Sequence, residues 1–191
     1  MPAPPWLVET VHALRALAFF ERPGLSDEDV AAELAENYEF AWNEPPDPSR
    51  PLIELELLRF DDPRVWWEDT EADVGDGNGA YLDAVAGLAG ISRDVFRPSR
   101  ITETWETETG PIEVGFVLEG ERRVVRPRYL NDYLDIEGLV EGINAFLPGV
   151  GPRFAIYAPF DQTALVVCVT EIERRRLEER GWSFRREHDG A

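Results

Sequence analysis

Three carboxylates stand within six residues, at Asp132, Asp135 and Glu137. Such a group could hold a divalent metal ion for hydrolysis, and a pair of carboxylates could instead act as in a glycosidase. Acids that precede a helix also cap its first turn and favour the positive end of its dipole. Because helical spacing begins close by at Leu139, we favour the capping interpretation and predict no metal site and no cofactor.

The run 73–83 contains acids and glycines in an arrangement that resembles a calcium-binding loop. Such a loop needs oxygen ligands at positions 1, 3 and 5 and a glycine at position 6. Starting at Asp73 puts Gly75 and Gly77 at ligand positions, and a start one residue later begins on a valine. We therefore predict a turn that leads into a helix, with Asp76 or Asn78 near its cap.

Nucleophilic and zinc chemistry have few candidate residues. The chain has two histidines, His12 and His188, one cysteine, Cys168, and no lysine. Two histidines and one cysteine do not supply the usual zinc ligand sets, and no nucleophile-elbow motif accompanies His12. The absence of lysine excludes Schiff-base and phosphate-loop lysine chemistry. Cys168 lies in an apolar run and is predicted to be a core residue. We predict no catalytic residue and expect that the protein is not an enzyme.

Glu103 lies on the same side of a predicted strand as Ile101 and Trp105, facing the core. A buried carboxylate must be paired or neutral. We expect Arg126 or Arg128 to pair with it in a structural ion pair, rather than Glu103 to act as a general acid with a raised pKa.

The formal net charge of −19 is concentrated in one stretch. Between Asp27 and Asp76 there are seventeen acids and only three basic residues, Arg50, Arg59 and Arg64. So much like charge repels itself but speeds association with a cationic surface, and it excludes nucleic acid as a direct ligand. The stretch therefore favours a basic protein partner. The alternative is that the acidity serves only solubility.

Interfaces draw most of their binding energy from buried aromatic residues, while charges at the rim set rate and selectivity. We expect exposed tryptophans, Trp42, Trp66 or Trp67, to act as anchors in the acidic stretch. The predicted partner-binding residues are Glu44, Asp61, Asp62, Trp66, Trp67, Glu68, Asp69, Glu71, Asp73 and Asp76. Since adjacent residues of an extended segment face opposite ways, one of Trp66 and Trp67 is predicted to be in the core and the other exposed.

The N-terminal part predicts a helical hairpin over 1–44. Apolar spacing indicates a helix over 6–21 and a second helix after Ser26, which is a good N-cap. Four prolines within 43–51 predict a boundary. Beyond it, Ile53, Leu55 and Leu57 alternate with glutamates and predict a strand with an acidic outer face.

The remaining chain, 52–186, predicts a core domain that packs with the hairpin in one compact unit. Patterning indicates a helix over 80–91, strands over 101–107, 112–118 and 122–126, a helix around 139–147, strands over 153–157 and 165–169, and a last helix ending at Gly181. Thr170 and Glu173 form a capping box for that last helix. The predicted fold class is α+β, an antiparallel sheet of about five or six strands covered by helices.

The order α-β-β-β-α-β-β-α over 79–181 is similar to that of the small acidic chaperones of bacterial type III secretion. The resemblance lies in the order of elements and covers about half of the chain. It implies a dimeric module that wraps an extended polypeptide.

The leading hypothesis is a non-enzymatic acidic binding protein, most of all an immunity-type inhibitor of a basic toxin such as a nuclease. The alternatives are a secretion-chaperone-like dimer and a carboxylate or metal-dependent hydrolase. The N-terminus lacks a signal-peptide pattern and the chain has no long apolar segment, so we expect a bacterial cytoplasmic protein with no membrane partner, monomeric or homodimeric.

Overall fold

The computed structural model describes residues 3–37, 52–61, 63–71, 74–157 and 162–185. Within these ranges the fold is α+β, as predicted, with six helices and six strands. The helices are α1 (Pro5–Arg15), α2 (Asp27–Asn37), α3 (Leu52–Leu58), α4 (Ala80–Ile91), α5 (Ile136–Asn144) and α6 (Glu171–Glu179). The strands are β1 (Val65–Asp69), β2 (Ser99–Trp105), β3 (Ile112–Leu118), β4 (Glu121–Val125), β5 (Arg153–Ile156) and β6 (Thr163–Val169).

The six strands form two antiparallel sheets of three strands each, where the sequence predicted a sheet of five or six. The first sheet has the order β1-β6-β5 and the second has the order β2-β3-β4. Short turns join β2, β3 and β4 in sequence, while β6 pairs with β5 on one side and with the distant β1 on the other. Helix α5 separates the two sheets along the chain, so β4 and β5 are not neighbours.

Strand β6 lies in the middle of the first sheet. It is buried on both faces, because an apolar cluster covers each of them. Leu165 and Val167 point to one apolar cluster, and Val166 and Cys168 point to another. Cys168 is a free thiol in the core, as predicted, and burial raises its pKa to about 12. A thiol with so high a pKa carries almost no thiolate at neutral pH.

Two apolar clusters cover the two faces of the first sheet. The helical cluster combines residues of α1, α2, α3 and α6 with one face of the sheet. The sheet cluster combines α4, α5 and the inner face of the second sheet with the other face. Edge-to-face rings join its layers, for example Phe96 against Phe116 with centroids 5.3 Å apart and against Phe154 at 5.8 Å.

Helix α1 ends at Arg15, six residues before the predicted end. The chain turns because Ala18 and Phe20 adopt left-handed conformations, with φ values of 63° and 52°. Helix α2 packs on α1, and Ser26 accepts a hydrogen bond from the backbone N–H of Asp29 at 3.1 Å, which confirms the predicted N-cap. The proline-rich boundary at 43–51 lies outside the described residues.

The turn after α1 is held by two charged residues from the loop between α3 and β1. The guanidinium of Arg64 donates to the carbonyls of Leu17 and Ala18 at 3.2 and 2.9 Å. Its Cζ lies 4.4 Å from the ring centroid of Phe19. The carboxylate of Asp61 accepts a hydrogen bond from the backbone N–H of Phe20. These contacts fix an otherwise unfavourable backbone conformation.

The predicted strand around Ile53 to Leu57 is wrong, since these residues belong to helix α3. Leucine and glutamate are strong helix formers, and the segment lacks the β-branched residues typical of strands apart from Ile53. Leu55 and Leu58 lie three residues apart and are both fully buried in the helical cluster. Over so short a segment, the alternation with glutamate is compatible with both the two-residue period of a strand and the 3.6-residue period of a helix.

Several local predictions for residues 80–181 are confirmed. Helix α4 and strand β3 have the predicted bounds, and the order of elements from α4 to α6 is the predicted one. Thr170 and Glu173 form the predicted capping box, with reciprocal bonds between side chains and backbone. Among the described helices, none has the length and apolar character needed to cross a lipid bilayer.

Arg64→Met tests the contribution of the buried guanidinium. Methionine keeps an apolar stem but removes the donors to Leu17 and Ala18, and hydrogen bonds from charged groups contribute about 1.5–3 kcal/mol each. Because Nε and Nη2 of Arg64 are buried without partners among the described residues, part of that gain is offset, and we expect a loss of about 2–3 kcal/mol in the free energy of unfolding.

Urea denaturation followed by circular dichroism measures this loss. Arg97→Met is the matched control, because Arg97 is exposed and pairs with exposed Asp94, and it should change stability by less than about 0.5 kcal/mol. Equal losses in the two variants would contradict a structural role for Arg64.

Candidate functional site

Strand β1 forms one edge of the first sheet and leads into the exposed acidic residues. Within the described ranges it pairs only with β6, from Val65 opposite Val167 to Asp69 opposite Thr163. Val65 is buried, Trp66 is half-buried, and the three residues that follow are exposed. We call Trp67, Glu68, Asp69 and Glu71 the acidic edge.

The two adjacent tryptophans point to opposite faces of the sheet, as predicted. Trp66 packs against α4, where a Cβ added to Gly87 would lie 2.2 Å from the indole Nε1. Trp67 is 44% exposed, and the guanidinium carbon of Arg59 lies 5.5 Å from its ring centroid. Trp66 therefore anchors β1 to the sheet cluster, and Trp67 remains partly exposed on the other face.

The carboxylates of the acidic edge differ in how far they are engaged. Glu68 has no hydrogen bond or ion pair to any described residue. Asp69 accepts a hydrogen bond from the backbone N–H of Glu71 at 3.0 Å. Glu71 accepts one from the side chain of Gln162. Of the three carboxylates, Glu68 is therefore the least engaged by the part of the chain that the structure describes.

Two exposed apolar side chains that sequence reasoning missed lie beside the acidic edge. Leu130 and Tyr133 are both exposed. Tyr133 forms a β-bridge with Glu71, and its hydroxyl lies 3.4 Å from Nε2 of Gln162. The signal was an aromatic and a leucine in an otherwise polar loop, which a search for acidic stretches passes over.

Asp61 does not belong to a surface patch, contrary to the prediction. It is 1% exposed, and its carboxylate stabilises the turn after α1 by accepting a hydrogen bond from the backbone N–H of Phe20. Asp76 is exposed in the turn before α4. The predicted partner-binding residues Glu44, Asp62 and Asp73, as well as Trp42, lie outside the described residues.

Basic residues from elsewhere in the chain neutralise part of the acidic stretch. Asp27 pairs with His12 and Arg15, each at 2.7 Å, and these hydrogen bonds lower its pKa. Glu54 pairs with Arg180 and accepts a bond from the indole of Trp182 at 3.1 Å. The stretch from Asp27 to Asp76 is therefore not a uniform free patch, and the acidic edge is its best-exposed described part.

Two of the three carboxylates at 132, 135 and 137 make structural contacts, and Asp135 confirms the capping interpretation. Asp135 is the N-cap of α5 and accepts from the backbone N–H of Gly138 at 3.1 Å. It also accepts from the backbone N–H and Nε of Arg128 at 2.7 and 3.0 Å. Glu137 pairs with Arg185. Across the ranges that the structure covers, no three histidine, cysteine or acidic side chains gather in a metal-binding arrangement.

Glu103 has a different partner from the predicted arginines. Its carboxylate accepts from the indole of Trp105 at 2.8 Å and from the backbone N–H of Tyr81 at 3.1 Å. Arg126 pairs with Glu113, and Arg128 pairs with Asp135. The predicted ion pair is wrong because Glu103 instead accepts a hydrogen bond from a backbone N–H in the first turn of α4. The N-cap residue of this helix, Gly79, has no side chain that could do so. The turn before α4 is confirmed, and Asn78 directly precedes the N-cap residue, Gly79.

A second exposed surface is an apolar groove at the other end of the first sheet. Val150 is 92% exposed and Ile172 is 67% exposed, and they flank a depression of about 470 Å³. Phe154, Ala155 and Val169 line it, so it runs between β5 and the first turn of α6. Arg153, Glu171 and Arg174 also line it, so charged groups of both signs border its apolar floor.

Comparison of the chain with protein-family models, with curated proteins and with solved structures found no match.

Gly87→Ala tests whether contact with α4 positions β1. The added methyl would collide with the indole of Trp66, and overpacking of this kind costs about 1–3 kcal/mol. Gly90→Ala lies on the same helix with nothing within 4 Å of the added carbon, so it should stabilise the protein by up to about 1 kcal/mol through helix propensity. Urea denaturation measures both, and a gain in both variants would contradict the packing of Trp66 on Gly87.

Asp135→Asn tests the charge at the α5 cap. Burial alone would raise the pKa of Asp135, but hydrogen bonds from Arg128 and Gly138 outweigh it, so the pKa lies below its ordinary value. A carboxyl with a lowered folded pKa stabilises the protein above its unfolded pKa and loses that effect as pH falls. Asparagine keeps the cap and removes the charge, so we expect a loss of about 2 kcal/mol at pH 7.

The difference in unfolding free energy between the unmodified protein and Asp135→Asn should shrink as the pH is lowered below about 4. Asp94→Asn is the control, since Asp94 is exposed and bonds only to exposed Arg97. A difference that stays constant from pH 7 to pH 3 would contradict the assignment.

Proposed function

We propose that this protein is a non-enzymatic binding module that recognises a basic protein partner through the acidic edge. An immunity-type inhibitor would use such an edge against the basic cleft of a toxin nuclease, because its carboxylates imitate phosphates. The observation that carries the proposal is the exposed indole of Trp67 next to the exposed carboxylate of Glu68, which has no hydrogen-bond or ion-pair partner among the described residues.

An aromatic anchor and free charge contribute to binding in different ways. Burial of an indole supplies binding energy and slows dissociation, whereas charge at the rim accelerates association and excludes acidic partners. Trp67 supplies the binding energy, and Glu68 and Asp69 supply the charge that accelerates association. Leu130 and Tyr133 extend the apolar contact beside Glu71.

Two of the three acids considered for a hydrolase, Asp135 and Glu137, are engaged in other contacts, and so is Glu103. Asp135 is nearly buried and holds Arg128, and Glu137 holds Arg185. Glu103 bonds to Trp105 and to the start of α4. These contacts weigh towards binding and against carboxylate catalysis.

A secretion-chaperone-like dimer is the second candidate, and the apolar groove favours it. Val150 and Ile172 expose apolar surface that an extended polypeptide or another subunit would cover. The order of elements from α4 to α6 is also the one on which the resemblance to type III secretion chaperones was drawn.

Three variants test the edge against partners captured from an extract of the source organism. Trp67→Ala should weaken binding of the captured basic protein at least about tenfold by faster dissociation. Glu68→Gln with Asp69→Asn should slow association and flatten its dependence on salt. Glu106→Gln with Glu108→Gln removes two exposed charges from the second sheet's turn and serves as the matched control.

Surface plasmon resonance at low and high salt gives both rates. Equal affinity of all variants would refute recognition through the acidic edge. Sedimentation of the free protein separates the two candidates, since a monomer contradicts the chaperone-like alternative and a stable dimer weighs against a simple inhibitor.

A further inference from the structure

The outer side of strand β1 leaves backbone groups available for hydrogen bonding. Within the described ranges β1 pairs with β6 alone, so the backbone N–H and C=O groups that point away from β6 have no strand partner. The pairing with β6 runs from Val65 to Asp69 without a register shift. A straight, unpaired edge of this kind is a template for another strand.

The other sheet edges in the described chain are less suited to accept a strand. Strand β2 has an irregular register between Ser99 and Thr102. Strand β5 is covered where the backbone N–H of Arg185 donates to Ile156 at 2.9 Å. Strand β4 carries the adjacent Arg122 and Arg123. Irregularity, coverage and positive charge thus limit three edges. Among the described residues, β1 has a further backbone contact at its first residue, where the N–H of Val65 donates to the carbonyl of Asp61 at 3.0 Å.

The charges on β1 select which strand can pair with it. Natural edges are protected by charge, proline or bulges, and β1 has only its charge. Glu68 and Asp69 would face their own copies or another acid if a second molecule of this chain paired there, which is unfavourable. Opposite a basic strand the same carboxylates are attractive.

Trp67 already contacts an arginine. The guanidinium carbon of Arg59 lies 5.5 Å from the centroid of the indole ring, within the range of a cation–π contact. The indole therefore lies where a side chain on a neighbouring strand could pack on it across the pair.

We propose that the edge of β1 accepts an extended basic segment of the partner as an added antiparallel strand. In that register two consecutive basic residues face Asp69 and Glu68, and the next residue packs on Trp67. Two adjacent cations are required because Glu68 and Asp69 are adjacent and point to opposite faces of the sheet. This mode of binding rests on the proposed function and specifies the chemistry of its partner.

A labelled nine-residue peptide tests the proposal with the full-length protein. The peptide has two central arginines followed by valine, flanked by alternating threonine and valine. Fluorescence anisotropy at about 50 mM salt should detect binding that weakens as salt screens the charges. Trp67→Ala, and Glu68→Gln with Asp69→Asn, should each weaken it several-fold, while Glu106→Gln with Glu108→Gln should not.

Two N-methylated forms of the peptide distinguish strand addition from attraction by charge alone. In an added strand, alternate N–H groups point to β1, so methylation of one alternate set should weaken binding at least about tenfold and methylation of the other set should not. Equal binding of both methylated forms, or no binding of the parent peptide, would overturn strand addition. Recognition of a folded basic partner is measured separately with the captured protein, so the two proposals can fail independently.

Discussion

The burial of β6 on both faces is the constraint on which the rest of the structure depends. One strand supplies Leu165 and Val167 to the helical cluster and Val166 and Cys168 to the sheet cluster. Charged side chains cannot share that interior without partners, so the acids of this chain lie at edges, turns and helix ends. Strand β1 shows the transition: Val65 joins one cluster, Trp66 packs on the other, and the next three residues emerge into solvent. Val65 and Trp66 therefore hold the strand that carries the acidic edge in register.

The acids divide into those that hold the fold and those that remain available. Asp61, with buried Arg64 beside it, fixes the left-handed turn after α1, Asp135 caps α5 while bonding to Arg128, and Glu103 satisfies the start of α4. A carboxylate whose oxygens already accept several hydrogen bonds has fewer lone pairs left for another cation. Glu68 has no such partner among the described residues. Availability for a partner therefore follows from the lack of a structural task, and not from the density of acids along the sequence.

Local signals predicted much of the fold, and long-range contacts account for most of the errors. The bounds of α4 and β3, the caps at Ser26 and Thr170, and the core position of Cys168 all depend on residues within a few positions of one another. The pairing of Glu54 with Arg180 joins residues 126 positions apart, and the burial of Asp61 depends on a turn 41 positions away. No spacing rule contains that information. The error at α3 has a different cause, since seven residues with leucines two and three apart satisfy both a strand and a helix.

The proposed binding role gives a reason for the exposure of Trp67, and acidity that serves solubility alone does not. Solubility is served by charge at any exposed position and is impaired by an exposed indole on an unpaired sheet edge, where association of strands begins. A polar residue at position 67 would preserve the pairing with Leu165 and remove that liability. The indole is instead followed directly by Glu68 and Asp69, which suppress pairing between like edges and leave pairing with a basic strand favourable. Attraction and exclusion at the same three residues are the combination that specificity requires, and acidity for solubility alone gives no reason for it.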